Sequence, residues 1–347
     1  MKLFLTLAFC FIGLLQLVAQ HNLYSRYDSS LHQLDYLLQH PSSGGFKKAV
    51  FITENTFSDS IMSEDEFNNR ILLLCLFAKA YFTSNSGSRY RFGDSINVRM
   101  NFAIYTILKD SVRLTFADGG RGDTKPFRYD FDDFLGKKSW RSMLVMKLLA
   151  SHAGNCHSLP YLYKILSDEL GATCWLSLAP NHMYIKNRCE GGGWYNTELT
   201  SGAFPNDAWI MTSGYIPLQA VQSGIYMDTL SNQQSIALCV LDLAKEYEHQ
   251  AINYDDGFIL KCCDLSLRYF PLNVQAMLLK AETLKRIYEQ QEKQHLPDAK
   301  TTFDNMQALY IHLLDLGYRE MPDKMYQQWL FSIQKEKAKY SNKKLFQ

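Results

Sequence analysis

The stretch Gly154-Asn155-Cys156-His157-Ser158-Leu159-Pro160-Tyr161-Leu162-Tyr163 fixes where one helix must begin. Leu159, Leu162, Tyr163, Leu166 and Leu170 recur at the three- and four-residue spacings of one helical face. Pro160 fits only in the first turn of such a helix, where no backbone N–H is needed. The helix therefore starts close to Cys156, and Gly171 is placed to end it. A thiol at that point faces the positive end of the macrodipole and unpaired N–H groups. Both favour the thiolate, and such sites bring a cysteine pKa from about 8.5 into the range of roughly 3.5–7.5. The same N–H groups suit an oxyanion.

A thiolate nucleophile needs an imidazole, and the imidazole needs an orienting carboxylate or amide. Asn181 to Lys186 alternates, with His182, Tyr184 and Lys186 on one face. Trp194 to Thr200 alternates as well, with Trp194, Asn196 and Glu198 on one face. A hairpin across Gly191-Gly192-Gly193 that sets Lys186 opposite Trp194 sets Tyr184 opposite Asn196 and His182 opposite Glu198. Direct cross-strand neighbours lie about 4.5–5.5 Å apart at Cβ. A slip of two residues pairs His182 with Asn196 instead.

A cysteine opening a helix, a histidine opening a strand and a carboxylate closing the next strand resemble the transglutaminase-like superfamily, whose core is papain-like. Trp194, four residues before Glu198, and Thr200, two after it, stand where that family often has Trp and Thr. The likeness covers about Ser139 to Ser213. It implies that Cys156 is the nucleophile, His182 the base and acid, and Glu198 the orienting acid. Asn155, His157, Tyr184, Trp194 and Asn196 are expected to supply the oxyanion side and the wall of the site. Tyr161 and Tyr163 are expected in the core and groove wall. Three residues depart from the family pattern. Glu198 stands where Asp is usual, and His157 follows the cysteine where Trp is common. No upstream glutamine is evident, so the oxyanion falls to backbone N–H groups or Asn155.

The rest of the chain frames that core. The resemblance and the helix patterns together give an α+β fold: a central transglutaminase-like, papain-like core at 136–230 between helical flanks. Residues 21–135 read as mainly helical, with a β-hairpin or loop near 111–130, and the apolar run Ile71 to Phe82 reads as a buried helix. The Arg121-Gly122-Asp123 triplet falls in that hairpin and is read as turn sequence. Residues 231–347 read as successive helices broken near Pro271, Pro297 and Pro322, similar to a tetratricopeptide-type helical hairpin with room for one or two repeats, or equally to a generic helical bundle. Residues 1–20 read as a signal peptide, with Lys2 ahead of the apolar run Leu3 to Val18. That run is short for a bilayer span, which needs about 20 residues. The expected location is therefore exported: periplasmic, cell-surface or secreted, with no stable membrane span after signal removal. The family likeness implies a bacterial source.

With 36 basic and 35 acidic residues the net charge is +1, which gives no reason to expect nucleic acid as a partner. The eight cysteines are irregularly spaced and form no disulfide framework, and adjacent Cys262 and Cys263 read as half-buried. A zinc site drawn from His152, Cys156, His157, Cys174, His182 or Cys189 lacks any familiar ligand spacing, so neither metal nor cofactor is expected. Two functions remain. One is a cysteine enzyme acting on amides of a peptide or protein substrate through an acyl-thioester, by hydrolysis, deamidation or acyl transfer. The other is a non-catalytic interaction protein with a degenerate core, whose C-terminal helices hold a protein partner.

Overall fold

The structure, a computed structural model, describes residues 2–42, 44–57, 61–85, 90–116, 118–251 and 256–340. The side chains of 2–18, 333, 334 and 336–340 lie outside the description. The fold is mixed α+β, dominated by helix, with small sheets. It opens with α1 (Lys2–Gln39), α2 (Gly45–Phe57), α3 (Glu64–Ser84) and α4 (Ser95–Lys109). The segment read as an export signal belongs to the backbone of α1. Among the described residues, no helix is long and apolar enough to cross a membrane.

A short antiparallel hairpin follows, β1 (Arg113–Thr115) and β2 (Arg121–Asp123), with Arg113 opposite Asp123 and ion-paired to it at 3.0 Å. Next come β3 (Arg128–Tyr129), a 3-10 turn at Trp140–Met143, α5 (Val145–Ser151) and β4 (Ala153–Gly154). β3 and β4 pair in parallel, setting Tyr129 beside Gly154, two residues ahead of Cys156. The helix dictated by Pro160 is α6 (Ser158–Glu169). It begins two residues after Cys156 and ends before Gly171, whose φ is +65°.

The entry to α6 is tied by reciprocal hydrogen bonds. Asn155 Oδ1 accepts the N–H groups of His157 and Ser158 at 3.0 and 3.1 Å. The Ser158 hydroxyl accepts the Asn155 N–H at 3.1 Å. These bonds satisfy orphan helix donors and hold Cys156 between them. Leu159, Leu162, Ile165 and Leu166 are fully buried, each contributing about 1.5–3 kcal/mol. α6 is thus anchored by its apolar face, and Cys156 inherits that rigidity.

The main sheet is antiparallel: β5 (Trp175–Ala179), β6 (His182–Cys189) and β7 (Gly193–Thr197), with β6 central. Pro180-Asn181 makes the β5–β6 turn, and Asn181 takes a φ of +54° there. Proline first and a left-handed Asn second suit a type II turn. The β6–β7 register differs from the expected one. Lys186 faces Asn196 and Arg188 faces Trp194, two residues from the expected register and four from the slipped alternative. β6 runs on through Asn187, Arg188 and Cys189, so the turn centres on Gly191. That turn is clamped from the α4 side: Glu190 N–H donates to Asp94 Oδ2 at 2.9 Å, and Gly191 N–H donates to the Tyr90 hydroxyl at 3.1 Å.

After α7 (Asp207–Ser213) and α8 (Leu218–Gln222), four longer helices follow: α9 (Asn232–Gln250), α10 (Phe258–Tyr269), α11 (Val274–Lys293) and α12 (Ala299–Asp315). Each packs on the next. The last helix is α13 (Asp323–Tyr340). The N- and C-terminal helices meet: Tyr27 packs edge-on to both Tyr247 and Phe258, which tilt against each other, and the Thr53 hydroxyl donates to the Cys239 carbonyl. One hydrophobic core therefore runs through all three sequence segments.

Two burial expectations change. Ile71, Cys75 and Ala78 are buried in α3, but Leu72, Leu73 and Leu76 are exposed, so only one face of that run is core. Cys262 and Cys263 are both fully buried rather than half-buried. All seven cysteines from Cys75 onward are free, buried thiols.

Gly154 tests the link between this scaffold and Cys156. A Cβ there would meet Ser158 Oγ at 2.5 Å and Leu148 Cδ1 at 2.7 Å. Gly154→Ala should destabilise the fold by about 1–3 kcal/mol and displace the α6 cap. Chemical denaturation checks the first effect, and the near-ultraviolet circular dichroism of the adjacent aromatic side chains checks the second.

Candidate active site

Cys156 precedes α6, His182 is the first residue of β6, and Glu198 follows β7 directly. Glu198 lies in a tight loop closed by paired backbone hydrogen bonds with Ala203. The observed register makes His182 and Glu198 diagonal neighbours on one sheet face rather than direct partners. A diagonal separation remains within reach of long side chains. His182 Nε2 donates to Glu198 Oε2 at 2.6 Å, with both side chains almost wholly buried. Thr200 donates to Glu198 Oε1 through its N–H at 2.8 Å and its hydroxyl at 2.6 Å. Both carboxylate oxygens are thereby engaged.

The other ring nitrogen points to a residue absent from the expected site. His182 Nδ1 lies 3.1 Å from the hydroxyl of Tyr326, on α13, and that hydroxyl donates to Cys156 Sγ at 3.0 Å. Glu198, His182, Tyr326 and Cys156 form one continuous hydrogen-bonded chain. Trp329, one turn further along α13, packs edge-on to the imidazole with ring centroids 4.5 Å apart.

Burial alone would raise the Cys156 thiol pKa, yet it lies below its ordinary value. The hydrogen bond and charge of His182 lower it first, then the Tyr326 hydroxyl, then the charge of His157. Burial would lower the His182 pKa, but the Glu198 charge and the Cys156 and Glu198 hydrogen bonds push it up to about 10. Burial would raise the Glu198 carboxyl, but the imidazolium charge and its hydrogen bond, helped by Thr200, pull it down. Each of the three shifts favours the charged form of its group. The Glu198 contribution to stability is fully present above its ordinary value of 4.5 and is lost as pH falls through the lowered pKa. The His182 contribution is fully present below its ordinary 6.5 and is lost as pH rises through about 10.

His157, next to Cys156, forms a second buried pair. Its Nε2 lies 3.1 Å from Asp242 Oδ2 and its Nδ1 lies 3.1 Å from the Met143 carbonyl. Both nitrogens face acceptors, so the protonated ring donates twice. Burial lowers the His157 pKa, but the charge and hydrogen bond of Asp242 and the Met143 carbonyl leave it raised overall. Tyr161 donates to the same Asp242 at 2.8 Å. Two further acids line this space: burial pushes Glu54 up to about 8 and Glu246 well above its ordinary value.

The remaining expected wall residues lie elsewhere. Asn155 spends its amide on the Phe134 carbonyl at 3.0 Å and its oxygen on the α6 cap, so its side chain shapes the backbone and offers no oxyanion donor. Asn196 donates to Pro205 O and Asp207 Oδ1, away from the thiol. Trp194 is 46% exposed at the far end of the hairpin, against Trp175. Tyr184 is buried in the sheet, two residues along from His182. Tyr163 is core and donates to the Asn101 carbonyl.

Tyr129 is a further residue that local patterning missed. Its buried hydroxyl lies beside both the Tyr326 hydroxyl and the Cys156 thiol. Burial first, then the neighbouring Cys156 charge, hold that hydroxyl protonated. Asp242 and Tyr326 lie 85 and 170 residues from the groups they bond, and no local signal reports such pairs. The one local signal that could have pointed to α13 as a docked helix is the apolar set Tyr326, Trp329 and Leu330 at helical spacing, and it went unused. Among the described residues no cluster of His, Cys, Asp and Glu could hold a metal ion. No protein-family model matches the chain, and no curated protein or solved structure does.

Thiolate absorbance near 240 nm, titrated against a Cys156→Ala blank, separates the two histidines. His182→Ala should return the thiol to its ordinary value of about 8.5 or above, because burial is then opposed only weakly. Asp242→Asn, which weakens the case for a charged His157, should raise the Cys156 pKa by a smaller amount.

Proposed function

We propose that the protein is an exported transglutaminase-like cysteine enzyme that acts on amide bonds of a peptide or protein through an acyl-thioester. The observation that carries this reading is the single buried line from Glu198 through His182 and the Tyr326 hydroxyl to Cys156 Sγ. A core cysteine with no catalytic task needs no lowered pKa. Cys75, Cys174, Cys239, Cys262 and Cys263 are all pushed up by burial, and Cys156 alone among the shifted thiols moves down.

In the reaction the Cys156 thiolate attacks the amide carbonyl carbon, and the carbonyl electron pair moves to oxygen. Tyr129 supplies a buried, protonated hydroxyl beside the thiol as donor for that oxyanion. Collapse of the intermediate breaks the C–N bond, and the His182 imidazolium gives its Nδ1 proton to the departing amine. Glu198 keeps the ring oriented and its charge balanced. The acyl-thioester then passes to water or to an amine, with His182 Nδ1 accepting the proton of the attacking group. We also propose that the successive helices α9–α12 form a tetratricopeptide-like surface that holds a protein partner.

Intact-protein mass spectrometry during turnover of a peptide mixture tests the chemistry. An acyl adduct on Cys156, absent from Cys156→Ala and chased by added amine, is expected from the fraction of the protein in which the buried thiol is uncovered. Tyr129→Phe should slow the step by roughly 10²–10³ while leaving the fold intact. No adduct and no turnover from a protein whose Cys156 is freely alkylated would refute the enzyme reading.

A further inference from the structure

The reactive line is closed by the chain's own last helix. Cys156 is 6% exposed, His182 5% and Tyr326 0%, so no peptide reaches the thiol as the protein stands. The Tyr326 hydroxyl occupies a particular place. It sits 3.0 Å from Sγ and 3.1 Å from Nδ1. A scissile amide must put its carbon on Sγ and its nitrogen within reach of the proton on Nδ1. The hydroxyl and that amide therefore compete for the same space.

The rest of this segment is docked by further side-chain and backbone contacts. The Met321 carbonyl accepts from Asn181 Nδ2 at 2.9 Å, in the turn that presents His182. The Tyr326 ring lies against Phe134 at 5.6 Å, and its neighbour Tyr129 completes an aromatic pocket. Trp329 donates through Nε1 to the Ser213 hydroxyl at 2.8 Å. Asp323 pairs with Lys137, and Phe331 stacks on Phe131 at the exposed rim. The opposite face of α13 is polar, with Lys324, Gln327 and Gln328 exposed. The helix is held by one row of side chains and follows an exposed loop containing Arg319 and Glu320.

We propose that Met321–Phe331 is a tethered occupant of the substrate cleft, that it blocks Cys156 until it lifts, and that Tyr326 fills a subsite for an aromatic side chain of the substrate. The proposal rests on the acyl-transfer reading, which makes the covered space a substrate cleft. Lifting α13 would uncover the thiolate, the imidazolium and the Tyr129 hydroxyl together. The walls left behind, Phe134, Tyr129 and the His182 ring, suit an aromatic group.

Alkylation of Cys156 by iodoacetamide at pH 7, followed by peptide mass spectrometry, tests the block in the full chain. Gln328→Pro breaks α13 from its exposed face without touching the site. Trp329→Ala loosens the same contact from within, and circular dichroism checks that each variant is folded. Both should label at least roughly tenfold faster than wild type, because labelling follows the open population. Wild-type labelling as fast as that of two folded variants would overturn the block. Adding His182→Ala to Gln328→Pro keeps the two readings apart. Fast labelling that survives supports the block but removes the acyl-transfer reading, and a return to slow labelling with a higher pKa supports both. The subsite is read with N-acetyl-phenylalanine and N-acetyl-alanine chloromethyl ketones on Gln328→Pro. The aromatic reagent should react faster after correction for its rate with free thiol, and equal rates would overturn the aromatic assignment.

Discussion

The buried contact between His182 and Glu198 is the constraint on which the rest of the site depends. Two ionised groups are costly to bury, and the cost is offset only when each remaining polar atom finds a partner. Glu198 finds Thr200 on its second oxygen, and His182 finds Tyr326 on its second nitrogen. Removing one member of such a pair typically costs about 3–5 kcal/mol. The pair therefore ties the loop after β7 to the first residue of β6, and through Tyr326 it ties α13 to both. The lowered thiol pKa of Cys156 is the far end of the same line.

A second charge pair stands behind the first. His157 with Asp242 connects the start of α6 to α9, so the residue next to the nucleophile is fixed by a helix from the C-terminal array. Glu54 reaches into the neighbouring space from α2 and accepts the N–H groups of Val145 and Met146 at 2.6 and 2.8 Å, capping α5. Both flanks of the central segment thus touch the scaffold of the site. The helical flanks are part of its construction, and one core runs through all of them.

Much of this was legible locally. Pro160 and the apolar spacing placed the start of α6, and alternation placed His182 and Glu198 on one sheet face. The strand register was not legible. Three more residues of β6, and a turn clamped by Asp94 and Tyr90 from another part of the chain, moved the pairing by two. A shift of two keeps every side chain on its own face, which is why the residues still meet despite the wrong register. A shift of one would have separated them. Asn155, Asn196 and Trp194 were misplaced because sharing a strand face or lying next to a nucleophile does not fix where a side chain points. Asp242 and Tyr326 were invisible because their partners lie far off in sequence, and no periodic pattern encodes a contact across the fold.

The protonation state of His182 tests this account most directly. Nitrogen-15 chemical shifts of the imidazole, followed from pH 6 to pH 10 in selectively labelled protein, report both ring nitrogens at once. The account predicts an imidazolium with both nitrogens protonated through neutral pH, losing its proton only near pH 10. A ring that is neutral at pH 7.5, titrating near the ordinary value of about 6.5, would contradict it: the line from Glu198 to Cys156 would then be a set of neutral contacts, with no charge to hold a thiolate.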